Sequence, residues 1–475
     1  MNQPIDTQIE HVLHNLLPKS GLENKFGAPQ SLFDRMAFYH TPGVTIAVIN
    51  NFALAWAQSF GVTNMQTKQP VTTETLFQAG SISKSIFALA VMRLVQEGRV
   101  DLDEDIQRYL TTWRVPVNGG WQPRLTLRQL LSHTAGLTVH GFPGYQSDEK
   151  LPSIAQILNG EAPANTPKVE VNILPGVQFR YSGGGTTVAQ QLLVDLLQKP
   201  FPQIMRELVL EPLGLRHSTY EQPLPKVWAT SAATAHPWKG IPLQGSHHIY
   251  PEMAAAGLWT TATDLAQVGV ELLQVLHDKK MPTLVKKETI LAMLQPQLKH
   301  QKAGDGEFAG LGFFCNGKED EFHFGHGGWD EGFVAQMRFY PNVGKGAVVM
   351  INSNEGHPLL DEILRAIAVA DEWPAALPKE KTPVILSNLH EYKGIYCSAD
   401  GIQFQISVME DNLLLHYGKQ PPLAIFPASE VEFFNKAINA DILFEKNEQA
   451  VVTALTMRQG GNNLKAEKQD EKNGT

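Results

Sequence analysis

The sequence predicts an α/β (α+β) chain. An antiparallel sheet is flanked by helices and interrupted by a mostly helical insertion, and a small all-β module follows. Three observations predict this. Strand patterns occur near the start and again at 310–352, with short helical patterns rich in Pro and Gly between about 100 and 300. One helical run, Ser81–Glu97, is apolar almost all round, which marks the centre of a core. From residue 388 to about 458 the chain alternates in short β-like runs.

The elements follow in order. The first 20 or so residues form an amphipathic helix with Ile9, Val12, Leu13, Leu16 and Leu17 on one side. Gly43–Ala57 reads as two strands joined by an Asn-Asn turn. Ile86, Phe87, Leu89, Val91, Met92, Leu94 and Val95 fill the central helix, and Gly98 stops it. Gly310–Cys315, Glu321–His326, Gly332–Tyr340 and Ala347–Asn352 read as adjacent strands, hence antiparallel. Asp361–Asp371 is a closing helix. The main domain therefore spans 1–372, and 373–387 is a Pro- and Lys-rich linker. Residues 388–460 form a β-barrel-like module. The polar stretch 461–475, whose only apolar residues are Leu464 and Ala466, reads as a disordered tail.

Composition narrows the function. The chain has 475 residues, 39 Lys+Arg and 48 Asp+Glu, so its formal charge is 39 − 48 = −9. That lacks the basic footprint of a nucleic-acid binder. Cys315 and Cys397 make neither a disulfide framework nor a metal-ligand spacing. No stretch reaches the roughly 18 apolar residues of a membrane span. The N-terminal residues lack a basic segment followed by an apolar run, so a cytoplasmic protein is expected.

Three short strings carry chemistry. In Ser81-Ile82-Ser83-Lys84 the serine and lysine are three apart, on one helix face. A serine hydroxyl needs a neighbouring base, and a buried lysine can serve. The helix start adds backbone N–H groups and partial positive charge for an oxyanion. Phe179-Arg180-Tyr181-Ser182-Gly183-Gly184-Gly185 places a tyrosine in a Gly-rich turn before a helical run. Phe324-Gly325-His326-Gly327-Gly328-Trp329 places a histidine on a strand edge whose glycines admit a ligand close to the backbone.

Together with Leu130-Leu131-Ser132-His133-Thr134-Ala135-Gly136-Leu137, these strings resemble the serine β-lactamase and penicillin-binding-protein superfamily, closest to the class C-like branch. That branch includes esterases and D-amino-acid peptidases. The resemblance covers about residues 30–370, and Met253–Leu265 looks like the family's segment before a surface helix. It implies that Ser81 is acylated, that Lys84 accepts its proton, and that Tyr181 is the companion acid and base. His326 stands where the family has Lys or His, with Gly327 and Gly328 clearing room for substrate. The backbone N–H groups of Ser81 and Trp329 form the oxyanion hole. No metal and no cofactor is implied.

The sequence departs from the family at one position. The family usually has Asn two residues after the tyrosine, and here that residue is Gly183. Loss of that side chain weakens the case for β-lactam or peptide hydrolysis. A neutral His326 likewise offers less to a substrate carboxylate than a fixed cation. The expected function is a serine hydrolase acting on a small ester, β-lactam or D-amino-acid-type amide, with esters favoured. The alternative is a non-hydrolytic penicillin-binding or interaction protein on the same scaffold. The C-terminal module is expected to pack near the site mouth or to mediate a homo-oligomer. His133 reads as a residue that hydrogen-bonds a turn, and adjacent His247 and His248 diverge too far to form a metal site.

Overall fold

The computed structural model describes residues 4–18, 28–298, 306–374, 384–398, 401–409, 412–418, 420–435, 440–447, 449–459 and 462–469. The chain divides into two compact units, 1–16 with 30–376, and 17–29 with 377–475.

In the first unit, α1 (Ile5–His14) and α2 (Leu32–Phe38) precede β1 (Gly43–Asn50) and β2 (Ala53–Gly61). The central helix is α3 (Ile82–Gln96), followed by α4 (Gly183–Leu197), α5 (Met253–Ala256) and α6 (Ala262–Leu276). The chain then returns to strands: β3 (Phe308–Ala309), β4 (Phe314–Asn316), β5 (His323–Asp330), β6 (Phe333–Tyr340) and β7 (Lys345–Ile351). Helix α7 (His357–Ala370) closes the unit. Among the described residues the sheet has seven antiparallel strands in the order β2-β1-β7-β6-β5-β4-β3. Strands from both ends of this unit thus build one sheet.

Strand alternation sorts the two faces. Ile46, Val48, Ala347, Val349 and Ile351 pack against Leu359, Ile363 and Ile367 of α7. Ala47, Ile49, Met337, Val348 and Met350 share the larger core with α3 and α6. Helix α3 is buried from Ile82 to Ala90 with no break, as its all-round apolarity predicts.

Several boundaries differ from the sequence expectation. The β1–β2 loop is Asn51-Phe52 rather than an Asn-Asn pair, and both residues are left-handed, with φ of 50° and 63°. Phe52 tolerates this because it is anchored: its N–H donates to the Gly344 carbonyl at 2.9 Å, and its ring stacks near His277. The expected strand at 310–315 is split, because Gly312 turns with φ of 84° where Ser85 Oγ donates to its carbonyl. Helix α7 starts four residues before Asp361, with Pro358 in its first turn. Helix α6 is not superficial: it buries Leu265, Val268, Leu272 and Leu273 against the sheet. Among the described residues, no helix is long and apolar enough to cross a membrane.

The second unit holds a closed barrel of β8 (Gly394–Ser398), β9 (Gln403–Met409), β10 (Asn412–Tyr417), β11 (Leu423–Pro427), β12 (Glu432–Asn435), β13 (Ala440–Lys446), β14 (Val452–Gln459) and β15 (Asn462–Lys468). Its interior is Tyr392, Phe404, Ile406, Leu413, Phe433, Phe444 and Leu455 among others. The expectation of a disordered tail from residue 461 fails over 462–468. That stretch closes the barrel by pairing with both β14 and β8. It reads as polar because only alternate residues face inward, and Ala466 is fully buried. Residues 470–475 lie outside the described residues, as does most of the expected linker.

Candidate active site

The site starts at the first turn of α3. Ser81 caps the helix, and Lys84 lies one turn on, only 5% exposed. Lys84 Nζ donates to Ser81 Oγ at 2.9 Å and to the Ala255 carbonyl at 2.7 Å. The lysine is therefore fixed from both sides rather than solvated. Its second anchor is itself braced. Gln190 of α4 donates to the Pro251 carbonyl at 3.1 Å and accepts from Ala254 N–H at 2.7 Å. Ser83 Oγ accepts from Leu258 N–H at 3.0 Å.

Tyr181 comes from the extended segment ahead of α4. The Ser182 hydroxyl accepts the Gly185 N–H at 2.9 Å, a helix cap, and donates to the Thr138 carbonyl at 2.7 Å. The Arg180 and Gly183 N–H groups donate to the carbonyls of His133 and His140, at 2.8 and 3.0 Å. Residues 133–140, which overlap the end of the Leu130–Leu137 string, thus form the cradle of the tyrosine turn. His133, left-handed at φ of 56°, accepts the Ser182 N–H on Nδ1 at 3.2 Å. Burial, then the nearby Lys84 charge, pushes it well below the usual histidine range, so it is neutral. Lys84 Nζ lies 5.1 Å from the centre of the Tyr181 ring, over its face. The rings of His133, His140 and His326 surround Tyr181 at 4.3, 4.8 and 6.2 Å.

His326 sits on β5. Its Nδ1 meets the Gly327 carbonyl at 2.5 Å, so the proton belongs on Nδ1 and Nε2 is left to accept. Burial, helped by the Lys84 charge, lowers its pKa to about 3. At neutral pH this position offers no cation. A cavity of about 170 Å³ has His326 in its wall with Phe314, Gly325, Gly327, Gln336 and Arg338, but Ser81, Lys84 and Tyr181 do not line it.

The β5 edge and the Ser81 turn meet backbone to backbone. A Cβ on Gly80 would lie 2.4 Å from Trp329 N, and one on Gly328 would lie 1.9 Å from the Ala79 carbonyl oxygen and 3.3 Å from Ser81 N. Gly80 is also left-handed, at φ of 51°. The two expected oxyanion donors therefore belong to strips in direct contact. The Trp329 side chain itself is half exposed, and its Nε1 donates to Asn354 Oδ1 at 2.9 Å.

With this geometry in place, comparison with known proteins is decisive. The beta-lactamase family model matches residues 30–372. The chain belongs to the beta-lactamase family. Protein flp of Staphylococcus aureus (strain MW2) is 24% identical over 325 residues, which cover 66% of this chain and 60% of flp. This chain thus spans less than two thirds of that relative's length. Penicillin-binding protein 4* of Bacillus subtilis (strain 168) is 22% identical over 463 residues, 92% of this chain and 98% of the relative. Two solved structures share the fold. The octameric penicillin-binding protein homologue from Pyrococcus abyssi has a TM-score of 0.60 at 21% identity, covering 92% of this chain and 98% of that one. SurE has a TM-score of 0.56 at 22% identity, covering 92% and 97%.

Within the family, Gly183 has a physical reason. A Cβ there would lie 3.0 Å from the Phe142 ring and 3.1 Å from the His140 carbonyl, so a side chain fits only if those neighbours give by a few tenths of an ångström. Four residues of the site escaped the sequence reading: Asn354, Asp330, Glu252 and Gln190. Asn354 accepts from both Trp329 Nε1 and Gly332 N–H, at 2.9 and 2.8 Å, and so pins the β5–β6 hairpin. Glu252 is fully buried, and neither of its carboxyl oxygens has a partner among the described residues. No sequence spacing signals Gln190 or Asn354, because each bonds a segment separate from its own.

Proposed function

We propose that this protein is a serine hydrolase that forms an acyl-enzyme on Ser81 and acts on small esters of uncharged acids. The observation that carries the proposal is Lys84, buried and hydrogen-bonded to Ser81 Oγ at 2.9 Å. Ser81 Oγ attacks the ester carbonyl, and its proton passes to the Lys84–Tyr181 pair. The Ser81 and Trp329 N–H groups receive the oxyanion. The carbonyl–alkoxide bond then breaks, and the leaving alkoxide takes the proton back by way of Tyr181. Water attacks the acyl-serine along the reverse route and releases the acid.

Two observations favour esters over β-lactams and peptides. His326 is neutral and presents an acceptor, not a cation, to a substrate carboxylate. Position 183 carries no amide-binding side chain, and a Cβ there would crowd the Phe142 ring at 3.0 Å. The test is p-nitrophenyl butyrate hydrolysis by wild type and Ser81→Ala, with intact mass read during turnover. Turnover that vanishes in Ser81→Ala supports the proposal, and turnover that survives it refutes the acyl-enzyme.

A second reading is a penicillin-binding protein with little turnover. Gly183 favours it, as does the name of the Bacillus subtilis relative. A long-lived penicillin adduct on Ser81, without ester turnover, selects this reading. We also propose assembly into an oligomer, supported by the octameric Pyrococcus abyssi homologue. Sedimentation of the full chain tests it.

A further inference from the structure

We infer that Tyr250 is a positioning residue: it ties the turn that follows Trp329 to the segment that anchors Lys84, and so holds the oxyanion strand in register with the base. This inference rests on the acyl-enzyme reading above.

Asp330 and Phe333 are the last pair of the β5–β6 hairpin, so Glu331 and Gly332 form a two-residue turn. The ladder leaves the N–H groups of such a turn without strand partners, and they must be satisfied elsewhere. Two side chains from other segments do so. Asn354 Oδ1 accepts from Gly332 N–H at 2.8 Å, and the Tyr250 hydroxyl accepts from Glu331 N–H at 2.9 Å. Glu331 lies two residues beyond Trp329, whose N–H is the proposed second oxyanion donor. Asn354 and Tyr250 together thus fix where this end of β5 stands.

Tyr250 is itself held firmly. It is 1% exposed, and its ring lies against the backbone of Gly144, where a Cβ would stand 2.7 Å from the Tyr250 Cζ. Its N–H donates to Gln222 Oε1 at 3.2 Å, and Gln222 Nε2 donates to the Gly257 carbonyl at 2.9 Å. One side chain therefore clamps both ends of the segment 250–257. Gln190 braces the middle of that segment, and its Ala255 carbonyl accepts from Lys84 Nζ at 2.7 Å. A line of hydrogen bonds and clamped backbone thus runs from the base, through Tyr250, to the turn behind Trp329. A phenylalanine ring would fill the same space and leave the Glu331 N–H without its acceptor. An N–H left so is costly, and the turn is expected to shift to regain a partner.

The test compares wild type, Tyr250→Phe and Tyr145→Phe in the full chain. Tyr145 is the control: it is also buried, and its hydroxyl accepts one backbone N–H, from Asn165 at 3.2 Å, on a different loop. Readouts are kcat and KM on p-nitrophenyl butyrate, inhibition by phenylboronic acid, and the thermal midpoint. Tyr250→Phe is expected to lower kcat about 10- to 100-fold, the scale of a misplaced catalytic group, with boronate affinity falling in parallel. KM is expected to stay within about twofold, because the lost contact acts on the transition state. Tyr145→Phe is expected to lower the midpoint by a similar amount while kcat stays within about twofold of wild type. If Tyr250→Phe does not fold, Gln222→Leu, which frees the Tyr250 N–H and keeps the ring, carries the same expectation. Unchanged kcat in Tyr250→Phe overturns the inference, as does an equal loss of kcat in Tyr145→Phe. Failure of the acyl-enzyme reading shows separately, as turnover that survives Ser81→Ala, and it removes this inference too.

Discussion

Gly80 and Trp329 touch through their backbones: a Cβ on Gly80 would stand 2.4 Å from Trp329 N, closer than real Cβ contacts come. Gly80 is left-handed as well, at φ of 51°. Gly80→Ala should therefore push the two strips apart and strain its own backbone. We expect kcat to fall about 10²- to 10³-fold, as when an oxyanion donor is lost. Stability should drop by about 1–3 kcal/mol, from strain at a positive φ. Steady-state kinetics and urea unfolding on the same preparation check both.

Lys84 is held by Ser81 Oγ and the Ala255 carbonyl. Lys84→Met keeps much of the side-chain volume and removes the base. Ester turnover is expected to fall by about 10²- to 10⁴-fold, the usual worth of a positioned general base. Gln190→Leu, which releases the segment bearing Ala255, should give a smaller loss of the same kind. Turnover by Lys84→Met close to wild type would contradict the role given to this lysine.

Glu252 gives a pH dependence with a definite sign. Burial raises its pKa from the ordinary 4.5 to about 8. Between those values the folded state holds a proton that the unfolded state has released. Its contribution is thus fully present below about 4.5 and is lost as pH rises through about 8. Glu252→Gln removes the ionisation. The variant should gain stability relative to wild type between pH 5 and pH 9, as read by urea unfolding at both. His326 has the opposite sense. Its pKa falls from 6.5 to about 3, so its contribution is complete above 6.5 and is lost as pH falls toward 3.

Gly183→Asn, which restores the commoner family residue, should not create a β-lactamase. The Phe142 ring and the His140 carbonyl would stand 3.0 and 3.1 Å from the new Cβ and would have to give way. Overpacking of this kind costs about 1–3 kcal/mol, so a lower thermal midpoint is expected, with no gain in nitrocefin hydrolysis. A stable variant that hydrolyses nitrocefin would show that the turn can open.

How much of this was legible in the sequence depended on whether the signal was local. Ser81 and Lys84 are three residues apart on a helix, so helical geometry alone brings them together. Tyr181 and His326 lie in Gly-rich strings whose shared site is an implication of the family resemblance; the Tyr181 ring centre lies 5.1 Å from Lys84 Nζ and 6.2 Å from the His326 ring. Gln190 and Asn354 act across separate stretches of chain, where spacing carries no information. Phe52 misled because its left-handed turn is stabilised by Gly344, nearly 300 residues away. Strand β15 misled because its inward residues are few, with the barrel closed around Ala466.

The most direct test of the central claim is the mass of the intact protein during p-nitrophenyl butyrate turnover, wild type beside Ser81→Ala. The account predicts a transient butyryl adduct in wild type, localised to Ser81, and neither adduct nor turnover in the variant. Turnover in the variant, or an adduct on another residue, would contradict it.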